Sequence, residues 1–510
     1  MAQALSQDAV VGVIGAGAMG AGIAQIAAQA GHQVRLLDLK AGAAEQAIAG
    51  IRAAFDKLAT KGRLSAEAAA AAGMRLRVAA STAELADAAL VIEAVVERLD
   101  VKRQLFAELE AIVGGNGILA TNTSSISVTA IAAGLKRPGR LVGMHFFNPA
   151  PVMALVEVVS GLATEPGVAA VVYETSLAWG KSPVHTKSTP GFIVNRVARP
   201  FYAEGLRLLG EQAADPATLD AVMREAGGFR MGPFELMDLI GHDVNFAVTK
   251  SVFDAYYGDP RFTPSVIQQE LVNAGRLGRK SGHGFYDYAP ATPTVEAVSV
   301  PPTAMANAVA VWTGTRLGRA IAERLSRAGV SAVVHDAAHA DRRLLRVADT
   351  LVYRTDGRTA TQRAADNGHV ATVLADLTLD PARATRIALS AADGCHEAAF
   401  LAAASVFQAA GFAVSRLADV PGLAVMRTVA MLANEAADAV YQGVCDVAAA
   451  DTAMCKGVNY PLGPLAWADA IGPGEVLTVL DNLATVYGED RYRASPLLRR
   501  RVAAGRQFHD

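Results

Sequence analysis

The sequence predicts an α/β plus all-α protein: a doubly wound parallel sheet followed by a helical domain, then a degenerate second α/β unit and a second helical domain. Three observations predict it. A short β-branched run, Val10 to Ile14, enters a glycine-rich turn at once, and an alanine-rich segment without proline follows. The chain of 510 residues, 52% of them hydrophobic, exceeds what one packed core accommodates. Residue patterns of the first half recur at fixed offsets in the second.

The opening elements carry the first chemistry. Val10 to Ile14 reads as a buried strand, Gly15-Ala16-Gly17-Ala18-Met19-Gly20 as a tight turn, and Ala21 to Ala30 as a helix closed by Gly31. Gly15 permits the turn, Gly17 removes the Cβ that would keep a pyrophosphate away, and Gly20 lets helix and strand approach. The exposed N–H groups of the helix N-terminus then receive the phosphate charge, and Ala18 and Met19 of the turn are taken as cofactor-binding with the three glycines. A second strand, Gln33 to Leu37, ends at Asp38, 21 positions after Gly17. A carboxylate there accepts hydrogen bonds from an adenosine ribose and repels a 2′-phosphate, so NAD is expected rather than NADP.

Composition narrows the partners. There are 47 basic and 49 acidic side chains, for a net charge of -2, so no global field points to nucleic acid or an anionic membrane. Three cysteines, Cys395, Cys445 and Cys455, fit neither a disulfide framework nor a zinc site, and no metal is expected. Met1 to Val10 lacks the layout of a secretory signal, and no stretch has the apolar length to span a bilayer. A soluble, cytoplasmic protein with a small-molecule substrate is expected.

Further along stand Val91-Ile92-Glu93-Ala94-Val95-Val96-Glu97, Thr121-Asn122-Thr123-Ser124-Ser125 and His145-Phe146-Phe147-Asn148-Pro149-Ala150-Pro151-Val152-Met153. Thr189-Pro190-Gly191-Phe192-Ile193-Val194-Asn195-Arg196 and Gly232-Pro233-Phe234-Glu235 follow. Together, over residues 8 to about 288, these motifs closely resemble the L-3-hydroxyacyl-CoA dehydrogenase family, with a Rossmann NAD-binding domain and a helical C-terminal domain. The resemblance implies an acyl-CoA substrate, His145 as general base, Glu157 as its orienting carboxylate, and Ser124 and Asn195 as groups that hold the reacting substrate. It also implies cofactor contacts from Glu97, Lys102, Asn148 and Lys280. The chemistry asks for these types independently: oxidation of a secondary alcohol needs a base near neutrality, and a carboxylate fixes the imidazole tautomer. Glu157 lies on an apolar stretch that reads as a strand, where a charge needs a partner.

Bland readings accompany each residue. His145 before two phenylalanines also suits a core position, Ser124 also suits the cap of a helix running from Ile126, and Asn195 falls inside a helix starting after Pro190-Gly191. Lys57, Lys61 and Arg63 cluster after a predicted helix of residues 42 to 58. Lys61 is taken as a candidate for the CoA phosphates, against the ordinary reading of a solvated helix end.

The second half is a degenerate copy. Residues 291–304 read as a proline- and threonine-rich linker, dividing an NAD-binding domain (1–189) and a helical domain (190–290) from a Rossmann-like unit (305–419) and a second helical domain (420–510). Asn307 to Trp312 reads as a strand. An offset of 298 carries Gly20 onto Gly318 and Asp38 onto Asp336, with Thr313 and Thr315 replacing two glycines. An offset of 231 carries Pro190-Gly191 onto Pro421-Gly422, Arg196 onto Arg427, Glu204 onto Glu435 and Asn195 onto Met426. One active site per chain is expected. In the family the helical domain commonly packs on another copy of itself across a dimer. Residues 420–510 are expected to supply that partner within the chain, with a homodimer left open.

Members of the family with this doubled layout act on 3-hydroxybutyryl-CoA or on 3-hydroxyadipyl-CoA in phenylacetate breakdown, and length and duplication favour the latter. The rivals are a dehydrogenase of free 3-hydroxy acids and an NAD-binding protein without catalysis.

Overall fold

The computed structural model describes residues 2–290, 292–293, 295–305, 308–336 and 342–510. Residues 291 and 294 of the expected linker, and Asn307 at the start of the expected strand, lie outside the described residues. The chain divides into two compact units, one of residues up to Arg196 with Gln442–Val458, the other of Val197–Tyr441 with Asn459–Asp510.

The first unit is built on eight strands: β1 (Val10–Ile14), β2 (Gln33–Leu37), β3 (Leu76–Val78), β4 (Leu90–Glu93), β5 (Ile118–Thr121), β6 (Leu141–Phe146), β7 (Leu155–Ser160) and β8 (Ser182–Lys187). Their spatial order is β3-β2-β1-β4-β5-β6-β7-β8. The reversal of direction beside β1 makes the sheet doubly wound, and ligands in such sheets bind at the carboxyl ends of the strands near that point. Ile23, Ile48, Phe55 and Val172 fill one face of the sheet, and Phe106, Leu109, Val128 and Ile131 the other. β4 and β5 are buried throughout, as a doubly covered sheet requires.

One pairing departs from the parallel expectation. β7 runs antiparallel to β6, with His145 opposite Glu157. Only residues 147–154 connect the two strands, too few for the crossover that a parallel neighbour needs, so the chain turns back on itself.

The second unit carries its own sheet of seven strands: β9 (Val309–Trp312), β10 (Ala332–His335), β11 (Arg343–Val347), β12 (Thr350–Arg354), β13 (Thr372–Ala375), β14 (Arg386–Ala391) and β15 (Ala413–Arg416), ordered β10-β9-β11-β12-β13-β14-β15. The offset of 231 carries β7 onto β14 residue for residue, and again an antiparallel pair, β13 with β14, precedes a parallel one. The reduction lies earlier, where β11 and β12 form an antiparallel hairpin.

Two sets of helices complete this unit. Helix Arg199–Gly210 of the first set packs on helix Val425–Tyr441 of the second, and buried ion pairs cross between the sets. Glu204 accepts from Arg427 (2.7 Å) and Arg491 (3.0 Å), and Arg261 pairs with Glu435 (3.3 Å) and Asp438. Burial would raise the Glu204 carboxyl, but the two guanidinium charges outweigh it and hold it at about 2.

The sequence places residues 420–510 in one domain, whereas helix Val447–Gly457 packs on β7 and β8 of the first unit. Helix Pro216–Glu225, its counterpart at the offset of 231, packs on β14 in the second unit. Each helical set thus lends one helix to the sheet of the other half, an exchange that follows the duplication.

Candidate active site

The glycine turn has the form its residues dictate. Gly15 holds φ +101°, and a Cβ there would lie 2.4 Å from the Ala94 carbonyl oxygen. A Cβ on Gly20 would fall 1.7 Å from the Gly15 carbonyl, which is why the helix can sit so close to the strand. At Gly17 nothing lies within 4 Å, so the approach to the N-terminus of helix Ala18–Gln29 is open. Asp38 ends β2 and accepts the backbone N–H groups of Ala16 (2.6 Å) and Lys40 (2.8 Å), which fixes its carboxylate beside the turn. These residues fit a dinucleotide without a 2′-phosphate.

Beside the turn, β4 ends in Glu93, fully buried, whose Oε1 accepts from Lys102 Nζ at 2.6 Å while Oε2 accepts from Thr121 at 2.7 Å. Lys102 also lies 3.2 Å from Glu97. Glu97 Oε1 in turn accepts from the Thr123 hydroxyl (2.6 Å) and from the backbone N–H groups of Ser124 (3.1 Å) and Ser125 (3.2 Å). Burial would raise the Glu97 carboxyl, yet the Thr123 hydrogen bond and the Lys102 charge more than offset it, leaving the group lowered and anionic. The Thr121–Ser125 loop is therefore clamped by a chain of charges from β4, and Ser124 stands on that clamp. Ser124 caps no helix: the nearby helix Val128–Ala132 is capped by Ser127.

His145 Nδ1–H donates to Glu157 Oε2 at 2.7 Å, since a carboxylate partner selects the tautomer with the proton on Nδ1. Glu157 is wholly buried, and its other oxygen accepts from the backbone N–H groups of Ile193 (2.9 Å) and Val194 (3.0 Å). All of its charge is thus satisfied by partners. Phe147 and Phe192 pack on the imidazole at ring separations of 4.5 and 5.7 Å, locking its plane. Nε2 is the nitrogen left for a substrate.

A cavity of about 390 Å³ brings these groups together. His145, Ser124, Asn195, Asn148, Glu97, Lys102 and Met19 all line it, with Asn122. The Asn122 side-chain oxygen accepts the Phe146 N–H at 2.9 Å and ties the loop to β6. Glu93 and Asn122 were not among the residues singled out in the sequence. A carboxylate ending an apolar strand, as Glu93 does, is the signal that a buried cation is near. Lys61 stands exposed after helix Ala43–Thr60 and does not line the cavity. Lys280 belongs to the second unit, where its ammonium pairs with Asp243 at 2.5 Å.

Comparison with known proteins places the pieces. Residues 10–189 match the family model of the 3-hydroxyacyl-CoA dehydrogenase NAD binding domain, and residues 191–288 and 422–508 that of its C-terminal domain. Residues 352–421 match the 3-hydroxybutyryl-CoA dehydrogenase reduced Rossmann-fold domain. The chain is 46% identical to 3-hydroxyadipyl-CoA dehydrogenase of Escherichia coli over 96% of its own length and 97% of that protein. It is 42% identical to a probable 3-hydroxybutyryl-CoA dehydrogenase of Deinococcus radiodurans over 54% of its length and 99% of the relative. The crystal structure of a 3-hydroxybutyryl-CoA dehydrogenase from Escherichia coli superposes with a TM-score of 0.89 at 45% identity, covering 98% of this chain and 99% of that one.

Proposed function

Because the chain belongs to the 3-hydroxyacyl-CoA dehydrogenase family, an NAD-dependent oxidoreductase class, we propose that its substrate is (3S)-3-hydroxyadipyl-CoA, oxidised to the 3-oxo thioester. The observation that carries the chemistry is the His145–Glu157 pair, 2.7 Å apart, facing one cavity with Ser124 and Asn195. Likeness to the adipyl enzyme along nearly the whole chain, duplicated half included, supports the acyl group. Likeness to the Escherichia coli 3-hydroxybutyryl-CoA dehydrogenase crystal structure favours a second reading, 3-hydroxybutyryl-CoA. The setting that fits is cytoplasmic catabolism of phenylacetate or fatty acids. No helix among the described residues is long and apolar enough to cross a membrane.

Gly15, Gly17, Ala18, Met19 and Gly20 hold the pyrophosphate side of NAD and Asp38 its ribose, with Glu97, Lys102 and Asn148 as further contacts. When bound there, NAD supplies the acceptor for the hydride that leaves C3. Ser124 and Asn195 hold the 3-oxygen and the thioester, so that the hydroxyl points at His145 Nε2. Nε2 takes the hydroxyl proton, and the resulting imidazolium is stabilised across Nδ1 by Glu157, which keeps its own charge. Lys61 meets phosphates of CoA at the rim. The second helical set replaces the intersubunit contact of shorter family members.

The test is NADH formation with 3-hydroxyadipyl-CoA, 3-hydroxybutyryl-CoA and the two free acids. A kcat/KM for the adipyl thioester roughly tenfold or more above the butyryl one is expected, with neither free acid turned over. A preference for butyryl would transfer the assignment to the second reading. Turnover of free acids would make the protein a hydroxy acid dehydrogenase.

A further inference from the structure

The second unit holds a cavity of about 360 Å³ at the carboxyl ends of β9 and β13 and the start of helix Arg316–Arg327. Position alone makes it the counterpart of the dinucleotide site, yet that mode of binding is closed. Thr315 stands where Gly17 stands in the first turn, and its hydroxyl caps the helix by accepting from Gly318 N–H at 3.0 Å. Thr313, in place of Gly15, turns its hydroxyl to the His335 carbonyl (3.2 Å) and to Asp336 (3.1 Å).

What replaced the glycines is charge. Arg316, Arg319, Arg342, Arg343 and Arg354 line the cavity, and Glu475 is the single carboxylate among its lining residues. Glu475 bonds Arg342 at 3.0 Å and Arg354 at 2.5 Å, which holds both guanidiniums in place, and Arg319 is fixed on the Thr313 carbonyl at 3.0 Å. Arg316 has no ion-pair or hydrogen-bond partner among the described residues. Five cations and one carboxylate line this concave wall, and Asp356 lies 4.0 Å from Arg342, so the positive charge of Arg316 and Arg319, which no carboxylate among the described residues pairs, sets up a field that a multiply charged anion relieves. The guanidinium fork matches phosphoryl oxygens two at a time.

An independent observation points the same way. Thr378 lines the cavity, is only 4% exposed, and its hydroxyl has no hydrogen-bond partner among the described residues. A buried hydroxyl without a partner is uncommon in a native protein and is accounted for by a group that enters the site. The volume lies within the range of small-molecule sites, roughly 300–1,000 Å³.

We propose that this cavity is a second ligand site, separate from the dehydrogenase centre, which binds a pyrophosphate-type anion as carried by a nucleoside diphosphate or by coenzyme A. The experiment is titration calorimetry on the full chain saturated with NADH, so that the first glycine turn is filled, using inorganic pyrophosphate, ADP, CoA and adipate as separate probes. Pyrophosphate is expected to bind and to compete with ADP or CoA. Arg316→Glu and Arg319→Ala, both at exposed positions, should weaken it roughly tenfold or more without changing NADH affinity. Tighter ADP than CoA names the nucleotide as the source, and the reverse names CoA. No pyrophosphate binding, affinity untouched by either substitution in folded variants, or adipate binding as tightly as pyrophosphate would each overturn the proposal.

Discussion

Asp376 of the second sheet occupies the position that His145 holds in the first, one offset of 231 residues away. His145 pairs across the strands with Glu157, and Asp376 bonds through its N–H to the carbonyl of Ala388, the residue at the Glu157 position. The carboxylate has changed strands but not its task. Glu157 accepts the N–H groups of Ile193 and Val194, and Asp376 accepts those of Ala424, Val425 and Met426 at 2.8–3.0 Å, the same turn one repeat later. The histidine–carboxylate pair has thus been replaced by one structural acid, and the second half keeps the fold without a counterpart of His145.

Burial raises the Asp376 carboxyl to about 6, despite those N–H groups. A folded-state value above the unfolded one means the native protein binds more protons, so this group makes stability fall as pH rises from about 4 to about 6, and not beyond. The size is on the order of 2–3 kcal/mol. Denaturant titrations of wild type and Asp376→Asn at several pH values check it: the difference between the two should change across that window. A constant difference would remove the assignment.

His145→Gln is expected to lower kcat by about 10²–10⁴ while NADH affinity changes less than about twofold, because Nε2 serves the proposed proton transfer and the glycine turn is left unchanged. Glu157→Gln keeps an oxygen for Ile193 and Val194 but loses the charge that steadies the imidazolium, so a fall in kcat of similar order is expected. Stopped-flow turnover with fluorescence titration of NADH separates the two effects. Equal loss of turnover and binding in His145→Gln would make the residue structural.

The elements read most directly from the sequence are those whose causes are local. The glycine turn, the helix after it and Asp38 follow from residues within about thirty positions of one another; the helix starts at Ala18, three residues before the expected Ala21, because Gly17 is its N-cap. The contact between His145 and Glu157 depends on the antiparallel turn through residues 147–154, which residue types alone do not reveal. Glu93 at the end of an apolar strand signals a buried cation, but which one, Lys102 of the next helix, emerges only when that helix is brought under it. Helix Val447–Gly457 joins the first sheet across nearly the whole chain, and periodicity says nothing about which sheet a helix covers. Ser124 and Ser127 are alike as cap residues by type, and the helix start at Val128, with the Ser127 hydroxyl accepting the Ala130 N–H, decides between them.

Asp38 is expected to set the choice of cofactor. Its oxygens already accept two backbone N–H groups, which holds a negative charge where the 2′-phosphate of NADP would lie. Asp38→Ser should narrow the NAD to NADP preference in kcat/KM by roughly tenfold or more, chiefly through KM for NADP. Steady-state kinetics with both cofactors measure this, and an unchanged ratio would place the discrimination elsewhere.

The buried cluster at Glu204 ties the two helical sets, and it makes the second half necessary to the first. Arg427 and Arg491 are nearly or fully buried around it; in Glu204→Ala Arg427 keeps Glu211 at 2.7 Å but Arg491 loses its carboxylate, at a cost of about 3–5 kcal/mol. Since the folded carboxyl stands at about 2, below its unfolded value near 4.5, its contribution is present at neutral pH and is lost as pH falls through that range. Removing residues 291–510 deletes Arg427, Arg491 and helix Val425–Tyr441 together, and also uncovers β7 and β8 where helix Val447–Gly457 packs. The truncated chain is therefore expected to aggregate or to pair with a second copy through helix Arg199–Gly210, as size-exclusion chromatography with light scattering would show. A soluble, fully active monomer of residues 1–290 would mean that the second half supports neither the packing nor the site.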